Sequence, residues 1–183
     1  MVYTFRPFSF QIVMIIDWNY IQQQYQSILE ELVVIDPIDD WQIKPQEIRA
    51  TQHKTKYGMA DIAGVVYINE AFVGTSAKNL LRVTIRHEFA HLCVGLQEGH
   101  NLIFKAKANQ FKAHFGQHLK SESRQVHEAI GYKYLLYAML VNGDEILFRK
   151  VHRKHSKYLN YKASRFRYLT IKGVKVINFR YTN

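Results

Sequence analysis

The sequence predicts an α+β protein: a mixed body built around one histidine-bearing helix, followed by a small basic β lobe. Three observations point there. Apolar residues recur at helical spacing over residues 18–34 and again from Ala77 towards Leu96. Short apolar runs bounded by Gly, Pro and Asp lie between those stretches. After Gly131 the helical period gives way to apolar runs paired across Asn142-Gly143 and Lys172-Gly173. The division is placed at residues 1–130 and 131–183.

The chain has 183 residues, 48% hydrophobic and 22% charged, which is a globular composition of ordinary domain size. Its one cysteine, Cys93, excludes an internal disulfide and a four-cysteine zinc cluster. The longest apolar run near the start, residues 12–16, is too short to span a bilayer, and no basic leader or small-residue cleavage site accompanies it. A cytoplasmic protein without membrane contact is expected.

Over residues 18–34, Tyr20 or Ile21, Tyr25, Ile28 and Leu32 share one helical face. Asp36, Pro37, Asp39 and Asp40 end it. Strands are predicted at 41–44, 48–52 and 64–69, with Gly58 and Gly64 flanking the connection between the last two. Thr75 or Ser76 is the expected cap of a helix running from Ala77 to a stop at Gly95. Another helix begins near Asn101, with Phe104, Ala108, Phe111 and Phe115 on one face and Gly116 closing it. The Asn142-Gly143 turn marks a hairpin strongly, and Lys172-Gly173 marks a second one more weakly.

The histidine-bearing helix contains "HEFAH". Residues four apart on a helix share a face with Cβ atoms about 6 Å apart, so His87 and His91 can each aim a ring nitrogen at one ion. Glu88 follows the first histidine and projects beside the ion, where a carboxylate can take the proton of a zinc-acidified water and pass it to a leaving amine. Chance produces this pattern in about one chain in fifty of this composition. Its place on a helix raises its weight, and so does His100, just beyond Gly95 and Gly99. Three protein ligands leave a fourth position open, as catalysis requires. His114 and His118 also stand four apart, but Gly116 separates them and no acid or third ligand joins them, so they are read as solvated. Cys93 is read as a small core residue.

The stretch "HEFAHLCVGLQEGHNLIFKAKANQF" resembles the SprT-like zinc metallopeptidase family, the family of the Spartan-related proteases. Its active-site helix carries HExxH, followed by a loop ending in Gly-His, a phenylalanine and a helix. The matching residues are His87, Glu88, His91, Gly99, His100 and Phe104. Upstream, "YGMADIAGVVYINEAF" is similar to the pair of strands that precedes that helix. The match covers roughly residues 20–120, and its helix, Gly-His and Phe portion is the most specific. The resemblance implies a zincin-like domain that hydrolyses peptide bonds with one Zn2+ held by His87, His91 and His100 and with Glu88 as general base. It implies protein substrates, in several members proteins on DNA. A zinc ribbon with two cysteine pairs often follows in the family. Here Met139, Asn142, Leu169 and Lys172 stand near where those cysteines would be, so a ribbon-like lobe without a second zinc is expected, held by packing. The strand at 64–69 is expected to border the cleft and to pair with substrate, an ordinary central strand being the alternative.

Net charge is +10 and uneven. Residues 1–100 carry 8 basic and 11 acidic side chains, whereas residues 149–183 carry 11 basic and no acidic ones. Arg149, Lys150, Arg153, Lys154, Lys157, Arg165 and Arg167 are therefore candidates to neutralise phosphates of DNA or RNA. Among them stand Tyr158, Tyr161, Phe166, Tyr168, Phe179 and Tyr181, which either stack on unpaired bases or form the lobe's core. Two further functional readings stay open. One is a non-proteolytic nucleic-acid-binding protein whose zinc site is vestigial or structural, although a structural site needs no base such as Glu88. The other is a repressor-cleaving zinc peptidase with a carboxylate third ligand, Glu122 or Glu128.

Overall fold

The computed structural model describes residues 15–183, so most of the apolar run at 12–16 lies outside the described part. Helices and strands are mixed, in an α+β arrangement with two small sheets. The chain divides into two compact units, the first ending at Ala129 and the second running from Ile130 to Asn183. Among the described residues no helix is long and apolar enough to cross a membrane.

In the first unit, α1 spans Trp18–Ile35 and buries Ile21, Tyr25, Ile28 and Leu32 along one face. Asp17 starts it by accepting the Tyr20 N–H at 2.7 Å. The three-stranded sheet has the order β1-β3-β2, with β1 Glu47–Thr51 parallel and β2 Gly58–Ala60 antiparallel to the central β3 Val65–Asn69. Residues 41–44 do not form the expected strand. Their backbone serves α2, Lys78–Val94, instead: Gln42 N–H donates to Cys93 O at 3.0 Å and Ile43 N–H to Leu92 O at 3.0 Å. The last carbonyls of a helix need such donors, and a neighbouring segment supplies them here. Trp41 is buried between Phe89 and Phe111, with ring centroids at 5.8 and 5.6 Å.

The start of α2 also differs from expectation. Its cap residue is Ala77, and no cap side chain bonds to the first turn. Glu122 closes that turn from far along the chain, accepting Leu80 N–H at 2.6 Å and Asn79 Nδ2 at 2.8 Å. A carboxylate at a helix N-terminus is favourable both as an acceptor and against the helix dipole. Glu122 belongs to α4, Lys120–Ile130, a helix that periodicity does not reveal because Val126 is its one buried residue. α3, Leu102–Gln110, begins at Asn101, which accepts Phe104 N–H at 3.1 Å. It ends before Gly116. Lys112 takes a left-handed φ of 55°, while Ala113 N–H bonds Ala108 O and Lys112 N–H bonds Asn109 O. That is a Schellman ending with lysine where glycine is usual.

The second unit is a four-stranded sheet of order β5-β4-β7-β6, with β4 Tyr134–Leu140, β5 Glu145–Val151, β6 Thr170–Ile171 and β7 Val174–Thr182. Both hairpins are present, and Val141 N–H in the first turn donates to Lys175 O of β7 at 2.9 Å. The short helix α5, Ser156–Leu159, delivers Tyr158 onto the sheet. Leu136, Ala138, Leu140, Tyr158, Val176 and Phe179 form an apolar core.

Candidate metal centre

α2 is buried on almost every side, which makes it a rigid base for the residues it carries. Arg86, one residue before the first histidine, is buried. It forms an ion pair with Glu31 of α1 and donates to Phe111 O at 3.1 Å, so the rotation of α2 is fixed against its neighbours. His87 and His91 emerge on the less covered side, half-buried.

Gly95 ends α2 with a φ of 94°, and Gly99 turns the chain again with a φ of 55°. L side chains resist both conformations. The two turns bring the His100 ring back onto the helix. Its Nε2 lies 3.1 Å from His87 Nε2 and 3.3 Å from His91 Nε2. Three nitrogens each about 2.0–2.1 Å from one tetrahedral zinc ion would stand about 3.3–3.4 Å apart. The three histidines therefore lie close enough to hold a metal ion, and they are the one such group of three or more His, Cys, Asp or Glu found among the described residues. Phe104 supports all three rings, with centroids at 4.9, 4.1 and 4.8 Å from His87, His91 and His100. Burial, reinforced by neighbouring histidines, pushes His87 and His91 down to about 4. Neutral imidazoles are the form that binds metal.

Glu88 sits beside the cluster, 5% exposed, and burial pushes its carboxyl up to about 8, opposed by the Lys56 charge. The positive charge of an ion held by the histidines acts in the same direction as Lys56. Burial of Glu88 depends on Gly58 in β2. A Cβ there would meet Thr84 Cγ2 at 2.8 Å, Tyr67 O at 3.0 Å and Glu88 Oε1 at 3.1 Å, so only glycine lets the strand lie this close. The histidines, Glu88, Lys56 and β2 line one cleft of about 440 Å³.

The strand at 64–69 is not the one exposed along this cleft. As β3 it is paired on both sides and has no edge to offer. The free edge bordering the cleft belongs to β2, within a stretch that periodicity treats as a connection and that the resemblance treats as the first of two strands. Glu122 is committed at the start of α2, Glu128 is exposed on α4, and neither joins the histidine cluster. His114 and His118 are exposed. Cys93 is buried and donates to Asp36 at 3.1 Å.

In the second unit Arg149, Lys150, Arg153, Lys154, Lys157, Arg165 and Arg167 are all exposed. The aromatic residues divide. Tyr158 and Phe179 are buried, and Tyr161 and Tyr181 pack against the same core, so these four do not present faces to bases. Tyr161 also ties the lobe together, donating to Val176 O at 3.2 Å and accepting Leu169 N–H at 2.8 Å. Phe166, 89% exposed, and Tyr168, 47% exposed, remain on the surface. The Arg165 guanidinium lies over Phe166, and Lys175 lies over Tyr168. Comparison with protein-family models, curated proteins and solved structures finds no match to this chain.

Proposed function

We propose that the protein is a zinc-dependent metallopeptidase of SprT type, with a zincin-like first unit that hydrolyses peptide bonds. The observation that carries the reading is the convergence of three imidazole Nε2 atoms at 3.1 and 3.3 Å with a buried carboxylate next to them in the chain. Zinc suits this donor set and, when bound, supplies a Lewis acid and a water acidified towards a pKa of about 7. His87, His91 and His100 hold it. Glu88 takes the proton of the attacking water and returns it to the departing amine. The free edge of β2 binds the substrate chain as an added strand, with backbone hydrogen bonds orienting the scissile bond over α2.

The substrates are proteins associated with nucleic acid. Support comes from the acid-free segment 149–183 with its exposed basic side chains, where Arg165 and Arg167 flank an exposed Phe166. Phosphate contacts of that kind predict binding that weakens steeply with salt, about 10³–10⁵-fold between 50 and 200 mM for six to ten contacts. A mobility-shift titration across salt measures it. No shift at 50 mM salt removes nucleic acid from the proposal.

The catalytic reading is tested by zinc content and casein cleavage of the wild type, Glu88→Gln and His100→Ala. Glu88→Gln is expected to keep its zinc and to lose activity by about 10²–10⁴-fold. His100→Ala is expected to lose zinc. A Glu88→Gln protein as active as the wild type refutes the reading. An His100→Ala protein with full zinc points to a different third ligand.

A further inference from the structure

The cleft contains one lysine or arginine side chain. Lys56 lines it together with His87, Glu88, His91 and His100. Among the described residues it has no ion-pair or hydrogen-bond partner for its ammonium group.

The backbone that carries Lys56 is held from below. Asn69 is 2% exposed at the end of β3. Its Nδ2 donates to His53 O at 2.6 Å and to Lys56 O at 2.8 Å, and its own N–H donates to Tyr57 O at 2.8 Å. Its Oδ1 accepts Ala71 N–H at 3.0 Å, so every polar atom of the clamp is used. The turn entering β2 is thereby fixed, and it presents Lys56 along the cleft.

Two of the hydroxyls in the lining are committed. The Thr84 hydroxyl donates to Leu80 O at 2.8 Å. The Tyr57 hydroxyl sits between Ser123 Oγ at 2.7 Å and His127 Nε2 at 2.8 Å. The Thr55 hydroxyl is neutral and stands 3.5 Å from His53 Nδ1, the limit of a hydrogen bond.

We propose that the Lys56 ammonium is a catalytic group that stabilises the negative charge developing on the scissile carbonyl oxygen. This rests on the peptidase reading above. In the step, the water oxygen bonds to the carbonyl carbon, one water proton passes to Glu88, and the carbonyl π pair moves onto its oxygen. When that pair returns, the C–N bond breaks and the amine leaves with the proton Glu88 held. The second water proton is released as the product carboxyl ionises. The oxygen carries its extra charge only between those two events. A cation placed for it therefore raises kcat and leaves ground-state binding little changed.

The experiment compares zinc-loaded wild type, Lys56→Ala, Lys56→Arg, Thr55→Ala and Glu88→Gln. It measures zinc content, kcat and KM on a fluorogenic peptide, and calorimetric affinity for a peptide phosphinate, a tetrahedral anion that carries the charge in question. Lys56→Ala is expected to keep its zinc and its KM within about threefold while kcat falls about 10²–10³-fold. Phosphinate affinity should fall in parallel. Lys56→Arg should restore part of both, and Thr55→Ala should change neither. A Lys56→Ala protein with unchanged kcat and phosphinate affinity overturns the proposal. So does one whose KM alone rises, which would assign Lys56 to an acidic substrate side chain. An inactive wild type, or Glu88→Gln as active as the wild type, overturns the peptidase reading and the Lys56 role with it. Loss of activity in Glu88→Gln with none in Lys56→Ala overturns the Lys56 role alone.

Discussion

The two units use polar and aromatic residues in opposite ways. In the first, Glu88 is 5% exposed and His87 and His91 are half-buried, and with the exposed His100 they gather around the ring of Phe104. In the second, every candidate phosphate-binding residue is exposed, while most of the aromatic residues between them face inward as core. Burial shifts proton affinities and fixes geometry, which chemistry needs. Exposure leaves charges hydrated and long side chains mobile, which suits salt-sensitive contact with an extended anion.

The sharpest test of that contrast lies within the lobe. Phe179→Ala should destabilise the second unit by about 3–5 kcal/mol, because its buried ring fills the centre of the core. Phe166→Ala should change stability by less than about 0.5 kcal/mol and should weaken single-stranded DNA binding instead. Urea unfolding and mobility shift on both variants separate the two roles. If Phe179→Ala is the one that loses DNA with its fold intact, the division between core and surface aromatics is wrong.

In the first unit, Glu31→Ala is expected to cost about 2–3 kcal/mol, since it leaves the buried Arg86 guanidinium without its carboxylate. The Arg86 hydrogen bond holds the Glu31 carboxyl below the usual carboxylate range. A depressed folded pKa means that the pair's contribution is complete above the unfolded value of about 4.3 and is lost as pH falls through the folded one. Urea midpoints of wild type and variant should therefore converge at acid pH and stay apart at neutral pH.

Two smaller effects probe how packing builds the site. Gly58→Ala is expected to lower activity about tenfold or more, a barrier change of about 1.4 kcal/mol, because Thr84, Tyr67 O or Glu88 must move. Zinc content should be unchanged, and equal activity would show that β2 can lift without consequence. Phe104→Leu keeps the site apolar but loosens the three rings, and zinc affinity measured by competition with a chelator should fall roughly tenfold.

Much of the first unit is readable from short-range pattern. Apolar spacing locates α1 and α2, Asn101 marks a helix start, and Gly95 marks a stop. The departures have particular causes. Lys112 ends α3 in a conformation usually given to glycine, so its identity carries no signal. α4 buries only Val126, so it has no apolar stripe to find. The backbone of residues 42–43 reads as extended but is spent capping α2.

The sequence by itself determined what local rules govern: two histidines and a glutamate one helical turn apart, hairpin turns at Asn142-Gly143 and Lys172-Gly173, and a terminal segment with basic charge alone. Tertiary structure alone decided that His100 closes on His87 and His91, that β2 rather than β3 offers an edge, and that Glu122 completes α2 instead of joining the histidines. The reason is range. Periodicity and turn chemistry act over a few residues, whereas a ring meeting another 13 positions away, or a carboxylate bonding a helix 42 positions back, depends on how whole elements pack.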